Sequence, residues 1–393
     1  MSIHKIEMPP EIYYGANALE KVGEVAQRLG SRALIVGDQV MEELGNVQKV
    51  ADLLATSGVE SASYLGANTE PTDTFVDEAL SVYQENNCDV IISIGGGSCI
   101  DTAKALAVVA TNGGYIGDYF GNKKVADKPS VPLIIIPTTA GTGSEVTNVT
   151  VITNTHNNVK MMIKHYAFLP RVAIVDPVLT MTSPGHVTAA AGLDALCHAI
   201  ESYVSRIAHP MTQIFSLDAA KLILNNIQQA YDDPNNTEAR TNMAIGALQA
   251  GVAFSNASVT LIHGMSRPVG AIFHVPHGIS NTMLLPAYLE FIRDVAEEDL
   301  AYLTRYALPE ETQDKSDKEA VDFLIQKTKE LSNHMDVPNM KEWGIDQTEF
   351  EANIDKMTSD AIESGSPAYT PRIPTADEIK ELYRYCYDYD FSV

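Results

Sequence analysis

Between residues 33 and 175 the sequence alternates short β-branched runs with stretches of helical periodicity, and this alternation constrains the fold more than any other feature. Ala33-Leu34-Ile35-Val36-Gly37 reads as a buried strand. Residues 40–57 follow with helical spacing, and Gly58 suits the C-terminal end of that helix. Residues 61–65 read as a strand, 72–87 as a helix, 89–94 as a second strong strand, 101–110 as a second strong helix and 132–137 as a third strand. Strands alternating with helices in this way build a parallel sheet covered on both faces. Residues 149–153 and 159–163 read as a hairpin, because Asn154-Thr155-His156-Asn157-Asn158 between them is turn chemistry. Val172-Ala173-Ile174-Val175 is the last strand, ended by Asp176-Pro177.

The texture changes after Ser183-Pro184. Residues 188–204, 210–231 and 238–254 are helical in pattern, and acidic helices continue beyond Ala287. Residues 309–317 read as a polar surface loop. A chain of 393 residues exceeds a comfortable single core. The expectation is an α/β domain over residues 1–183 and an all-helical domain over residues 184–393.

A formal net charge of −24 would repel a phosphate backbone, so no nucleic-acid partner is expected. The four cysteines show no CxxC spacing, and reduced cytoplasmic thiols are the simple expectation. Residues 1–11 contain no uninterrupted apolar run, so neither a secretory signal nor, further on, a membrane span is expected.

Three strand ends carry candidate cofactor groups. Gly95-Gly96-Gly97-Ser98 lies between a strand and a helix, where free N–H groups and the helix dipole suit a pyrophosphate. A glycine turn without a ligand is the plainer alternative, and Ile100 stands where a full GxGxxG fingerprint needs its third glycine. Asp38 follows the first strong strand. It suits either a ribose, favouring NAD over NADP, or a helix N-cap. The run Thr138-Thr139-Ala140-Gly141-Thr142-Gly143-Ser144-Glu145 is either a phosphate and ribose cradle or a mobile turn.

The second half carries candidate metal ligands. Asp194 and His198 are four apart in a helical, small and apolar stretch, so they share a face. Either they bond each other or they share a metal. His263 and His277 occupy two further apolar settings. A set of three histidines and one aspartate fits Fe(II) or Zn(II) rather than Mg or Ca.

These motifs together resemble the iron-containing (group III) alcohol dehydrogenases. The resemblance runs from Tyr13-Tyr14-Gly15 nearly to the C-terminus. It rests on Gly95 to Ser98 with Asp101, on Pro137 through Glu145, on Asp176-Pro177 with Leu179-Thr180, on Gly192 through Glu201, and on His263-Gly264-Met265 through Pro276-His277-Gly278. It implies a dehydroquinate-synthase-like fold, NAD and a metal, Fe(II) foremost with Zn(II) as the alternative. It implies metal ligation by Asp194, His198, His263 and His277. It implies cofactor contacts from Asp38, Gly95, Gly96, Gly97, Ser98, Asp101, Thr138, Thr139 and Thr142, with Lys160 and Leu179 near the cofactor. It also implies a homodimer or higher homo-oligomer.

One position departs from the pattern. Arg267 stands where many relatives carry a histidine four residues after the third ligand. Arg267 would either attract an anionic group on the substrate or pair with a local acid. His274 is a substitute proton carrier or a surface residue. The expected reaction is hydride transfer between NAD(H) and a small primary alcohol or diol and its aldehyde. The alternatives are a reductase of a short carboxylate- or sulfonate-bearing aldehyde using Arg267, a lyase of the dehydroquinate-synthase type, or a non-catalytic metal-binding protein.

Overall fold

The computed structural model describes residues 3–157 and 159–392, so Asn158, the last residue of the expected hairpin turn, lies outside the described residues. Among the described residues eight strands form, here numbered in chain order: β1 (Glu11–Tyr14), β2 (Arg32–Val36), β3 (Glu60–Tyr64), β4 (Val90–Gly95), β5 (Leu133–Pro137), β6 (Val149–Asn154), β7 (Val159–Lys164) and β8 (Val172–Val175). Six of them make one sheet in the order β1-β8-β5-β4-β2-β3. Every neighbouring pair in that sheet is parallel. β6 and β7 form a separate antiparallel pair.

The continuous apolar runs are explained by burial on both faces. Ile35, Ile92 and Ile134 point into one core with Val25, Val50 and Leu54. Their neighbours Leu34, Ile91 and Ile135 point into the other with Ile100 and Leu106. Side chains alternate across a strand, so a strand with cores on both sides has no polar period.

The parallel register places three strand ends side by side. Val36 of β2 pairs with Ser93 of β4, and Gly95 of β4 pairs with Pro137 of β5. The chain therefore leaves the same sheet edge at Asp38, at Gly96 and at Thr138, the place where open α/β sheets take ligands.

Several local expectations are corrected. The helix expected over 40–57 is two helices, Gln39–Glu43 and Asn46–Thr56, because Gly45 between them has φ +74°. The helix expected from residue 101 begins at Gly97 and runs to Asn112. The 309–317 segment is not all loop: Pro309–Thr312 is a helical turn, with proline at its start and the Thr312 hydroxyl donating to Leu308 O at 2.6 Å. β1 had no sequence signal.

Residues Ile6–Thr182 form one compact unit. Ser183–Val393, with the N-terminal residues through Lys5, forms the other. The first residues of the expected 1–183 domain thus belong to the helical unit, where the His4 ring lies 4.5 Å from that of His209. The helical unit is built on the long helices Gly185–Val204, Pro210–Asp232 and Thr237–Ala257. Among the described residues no single helix is long and apolar enough to cross a membrane.

The α/β unit buries a lysine. Lys104 is 0% exposed, and its ammonium donates to Ser144 Oγ (3.0 Å), Thr147 O (3.0 Å), Thr147 Oγ1 (2.8 Å) and Val149 O (2.8 Å). An unpartnered buried charge costs on the order of several kcal/mol, and these acceptors offset that cost. Glu145 is buried beside it. Burial pushes the Glu145 carboxyl up to about 7, with its own backbone N–H and Lys104 pulling the other way. The folded state then holds a proton that the unfolded chain releases near 4.5. Stability from this group is present below that value and lost as pH rises through about 7. Glu145→Gln should therefore gain stability relative to the parent between about pH 5 and about pH 8, read from the gap between urea midpoints. A gap that stays constant with pH would show that the carboxyl does not titrate there.

Candidate functional site

The helix Gly185–Val204 is apolar for most of its length, and on one face it carries Asp194, His198 and Glu201. Glu201 is fully buried. Its Oε1 accepts from Thr260 N (2.9 Å), Thr260 Oγ1 (2.7 Å) and Ile262 N (2.9 Å), two backbone donors and a hydroxyl at the start of the helix Leu261–Phe273. Its Oε2 is bonded to His263 Nδ1. That bond places the proton on Nδ1 and leaves His263 Nε2 directed at Asp194 Oδ1, 3.5 Å away.

His277 opens the helix His277–Thr282. This helix approaches Gly185–Val204 closely, because a Cβ on Gly278 would lie 2.5 Å from the backbone oxygen of Ala190. Any side chain at 278 would push His277 away. His198 is fixed by stacking on Phe254 and on His263, with ring centroids 4.2 and 4.5 Å apart.

One potential ligand atom from each of Asp194, His198, His263 and His277 lies within 4.8 Å of the others. The donor set fits a divalent cation of the Fe(II) or Zn(II) type. A second observation supports the fit. Asn281 Nδ2 lies 2.6 Å from Asp194 Oδ1, 3.0 Å from His263 Nε2 and 3.2 Å from His277 Nε2. The cluster favours a cation: burial acts to lower the His263 pKa, but Glu201 and Asp194 outweigh it and raise it to about 9. Burial acts to raise the Asp194 pKa, but His198, His277 and His263 outweigh it and hold the carboxyl well below its usual range. Burial pushes His198 down to about 4, which leaves its imidazole neutral and able to ligate. Neither Glu201 nor Asn281 was assigned a role from the sequence. The only local signal for Glu201 was a buried-face acid seven residues after Asp194.

Arg267 and His274 stand apart from this cluster. Arg267 donates to Ser366 Oγ at 3.1 Å and, among the described residues, has no carboxylate within ion-pair distance. Glu201 is the nearby acid, and its charge acts on the guanidinium without a direct ion pair. Burial pushes its guanidinium down to about 10, still protonated at neutral pH. His274 is exposed and adopts φ +55° as the residue that ends the helix Leu261–Phe273. Its visible part is to turn the chain toward His277.

The cofactor candidates lie in the α/β unit. Gly95 has φ +148°, and a Cβ there would come 2.5 Å from Cys99 Sγ. Gly96 precedes the helix Gly97–Asn112 and leaves its first N–H groups without a capping side chain. A Cβ on Gly97 would lie 3.3 Å from Thr142 Cγ2, and one on Gly96 would lie 3.9 Å from Thr139 Cγ2. The two turns therefore border each other, and Thr138 N donates to Gly95 O at 3.1 Å. Asp38 caps its helix by accepting from Met41 N at 2.8 Å, and its Oδ2 takes the Cys99 thiol at 3.5 Å. Ser98 Oγ donates to Thr69 O. Lys160, next in space to that segment, pairs with Glu70 at 3.1 Å. Two candidates are turned inward. Asp101 takes Ser144 Oγ (2.8 Å) and Val151 N (2.9 Å), and Leu179 packs in the core with Ile94, Ile136 and Ile174.

Known proteins resemble this chain over nearly its whole length. The family described as iron-containing alcohol dehydrogenase matches residues 9–177, and the C-terminal region of the Fe-containing alcohol dehydrogenase family matches residues 188–387. The chain is 36% identical over 379 residues to the NAD-dependent methanol dehydrogenase of Bacillus methanolicus, covering 96% of this chain and 98% of that one. It is similar in structure to 1,3-propanediol oxidoreductase, with a TM-score of 0.93, 34% identity and coverage of 98% and 100%. It is also similar to sulfoacetaldehyde reductase from Bifidobacterium kashiwanohense in complex with NAD+, with a TM-score of 0.89, 27% identity and coverage of 99% and 100%.

Glu201→Gln keeps the size of the side chain but weakens its hold on the His263 proton. Metal affinity, measured by chelator competition, should fall about 10–100-fold. An unaltered affinity would remove Glu201 from the support of the site.

Proposed function

This chain belongs to the iron-containing alcohol dehydrogenase family and is an NAD-dependent oxidoreductase, and we propose that it interconverts a small primary alcohol or diol with its aldehyde. The carrying observation is the convergence of Asp194, His198, His263 and His277. In this reading these four hold the metal, Fe(II) or alternatively Zn(II). When bound, the ion supplies Lewis acidity toward the substrate oxygen and NAD supplies hydride chemistry. Glu201 holds His263 in the ligating tautomer. Asp38 takes the ribose, Gly95 to Ser98 take the pyrophosphate at the helix start, and Thr138, Thr139 and Thr142 complete the cradle. Asp101 and Leu179 act from beneath that surface, and Lys160 from its side.

The chain's work is then to fix both groups and to keep water from the reacting atoms. NADH oxidation with small aldehydes, run with and without a chelator, tests the reading. We expect turnover that the chelator abolishes and Fe(II) or Zn(II) restores. Metal-independent turnover, or none on any aldehyde, would overturn it.

A second substrate reading rests on Arg267, a half-buried cation one helical turn from His263 whose one side-chain hydrogen-bond partner among the described residues is Ser366. It favours a short carboxylate- or sulfonate-bearing aldehyde. Arg267→His should then raise KM for anionic aldehydes about tenfold or more relative to neutral ones. An unchanged ratio sinks it. In the same assay His274→Ala tests the imidazole as a proton carrier, since a loss of the parent's pH profile supports that role and an unchanged profile leaves only the turn. We also propose a cytoplasmic location, supported by four free, buried cysteines, and a homodimer or higher homo-oligomer, supported by the family likeness and measurable by light scattering.

A further inference from the structure

We propose that Lys104 is a positioning residue for cofactor binding, which with Asp101 and Ser144 pins the 138–145 loop to the helix whose first turn receives the pyrophosphate. The inference rests on the reading above that the turns after β2, β4 and β5 take NAD.

Asp101 and Lys104 lie three apart on the helix Gly97–Asn112, so they share a face one turn in from the glycine turn. Both reach the same stretch of chain. Lys104 Nζ meets Ser144 Oγ, Thr147 O, Thr147 Oγ1 and Val149 O at 2.8–3.0 Å. Asp101 accepts from Ser144 Oγ at 2.8 Å and Val151 N at 2.9 Å, and its carbonyl accepts from Thr150 Oγ1 at 2.9 Å. Ser144 is the shared node: it takes a bond from the ammonium and gives one to the carboxylate.

The other end of the loop is tied to the same turn, through Thr138 N and Gly95 O at 3.1 Å. Residues 139–143 are thus held at both ends against one helix start. Between the pins, the methyls of Thr139 and Thr142 face Gly96 and Gly97. The surface offered to the cofactor is a composite of glycine turn and threonine loop. Its two halves are kept in register by a charged staple underneath.

A purely structural lysine would show itself in stability alone, and a buried ionic cluster is a weak source of stability compared with apolar packing. Here every hydrogen-bond acceptor of the ammonium lies between Ser144, which opens the short 3-10 turn Ser144–Val146 at the end of the loop, and Val149, the first residue of β6, and none is in the parallel sheet. That distribution is the signature of a loop being placed.

The test uses the full-length, metal-loaded protein and NADH fluorescence titration. Ser144→Ala removes the node but leaves Lys104 three acceptors. It should weaken NADH binding about 3–10-fold, and Lys104→Met about 10–100-fold. KM for NADH should rise more than kcat falls, and affinity for Zn(II) should stay at the parent value. If Lys104→Met does not fold, Ser144→Ala decides. Unchanged NADH affinity in Ser144→Ala, or a loss confined to melting temperature, overturns the proposal. Gly96→Val separates this from failure of the underlying reading. Gly96 has φ −80°, and its Cβ would meet nothing nearer than 3.9 Å, so the variant should fold. If Gly96→Val leaves NADH affinity intact, the cofactor reading fails. If it abolishes binding while Ser144→Ala does not weaken it, only the positioning role fails.

Discussion

Two carboxylates buried two helical turns apart, Asp194 and Glu201, set the conditions that the rest of the helical unit satisfies. A buried anion needs donors or a counter-charge. Glu201 draws them from Thr260, Ile262 and His263, so the start of the helix Leu261–Phe273 can sit in only one place. That placement fixes which nitrogen of the His263 ring is turned toward Asp194. Asp194 is compensated differently, by histidines and by the Asn281 amide, and the four residues that converge there could hold a cation. Glu201 is thus the residue that gives the cluster its direction, although it is not among the four that converge.

The sequence disclosed what local chemistry can encode. β2, β4, β5 and β8 were readable because strands buried on both faces become unbroken apolar runs. The four converging residues were readable because a histidine or aspartate in an apolar stretch demands a partner. What stayed hidden depends on distant neighbours. Glu201 looks like any helical acid until Thr260 is placed beside it. Asn281 has no distinguishing pattern at all. The split at Gly45 was hidden for another reason, since a helix with a single positive-φ glycine keeps nearly the periodicity of an unbroken one.

The candidate contacts divide in the same way. The glycines and threonines border one another at the sheet edge, as their positions after β4 and β5 require. Asp101 and Leu179 carry the same motif but face inward, one to a loop and the other to the apolar core. A family motif marks residues needed for a surface, and some are needed as its foundation. Arg267 is the opposite case, a departure from the motif whose charge is kept where a neutral side chain would bury more easily.

The order of the sheet has a consequence for how this chain reaches its native state. Among the described residues β1 pairs only with β8, Glu11 against Val172, so it has no partner until the last strand of the sheet has been made. Contacts of such high sequence separation raise the contact order of the unit and slow its folding. On the ribosome, β2 through β5 can assemble while β1 remains an unpaired edge in search of its neighbour. The α/β unit therefore closes that edge only by a pairing that spans nearly its whole sequence.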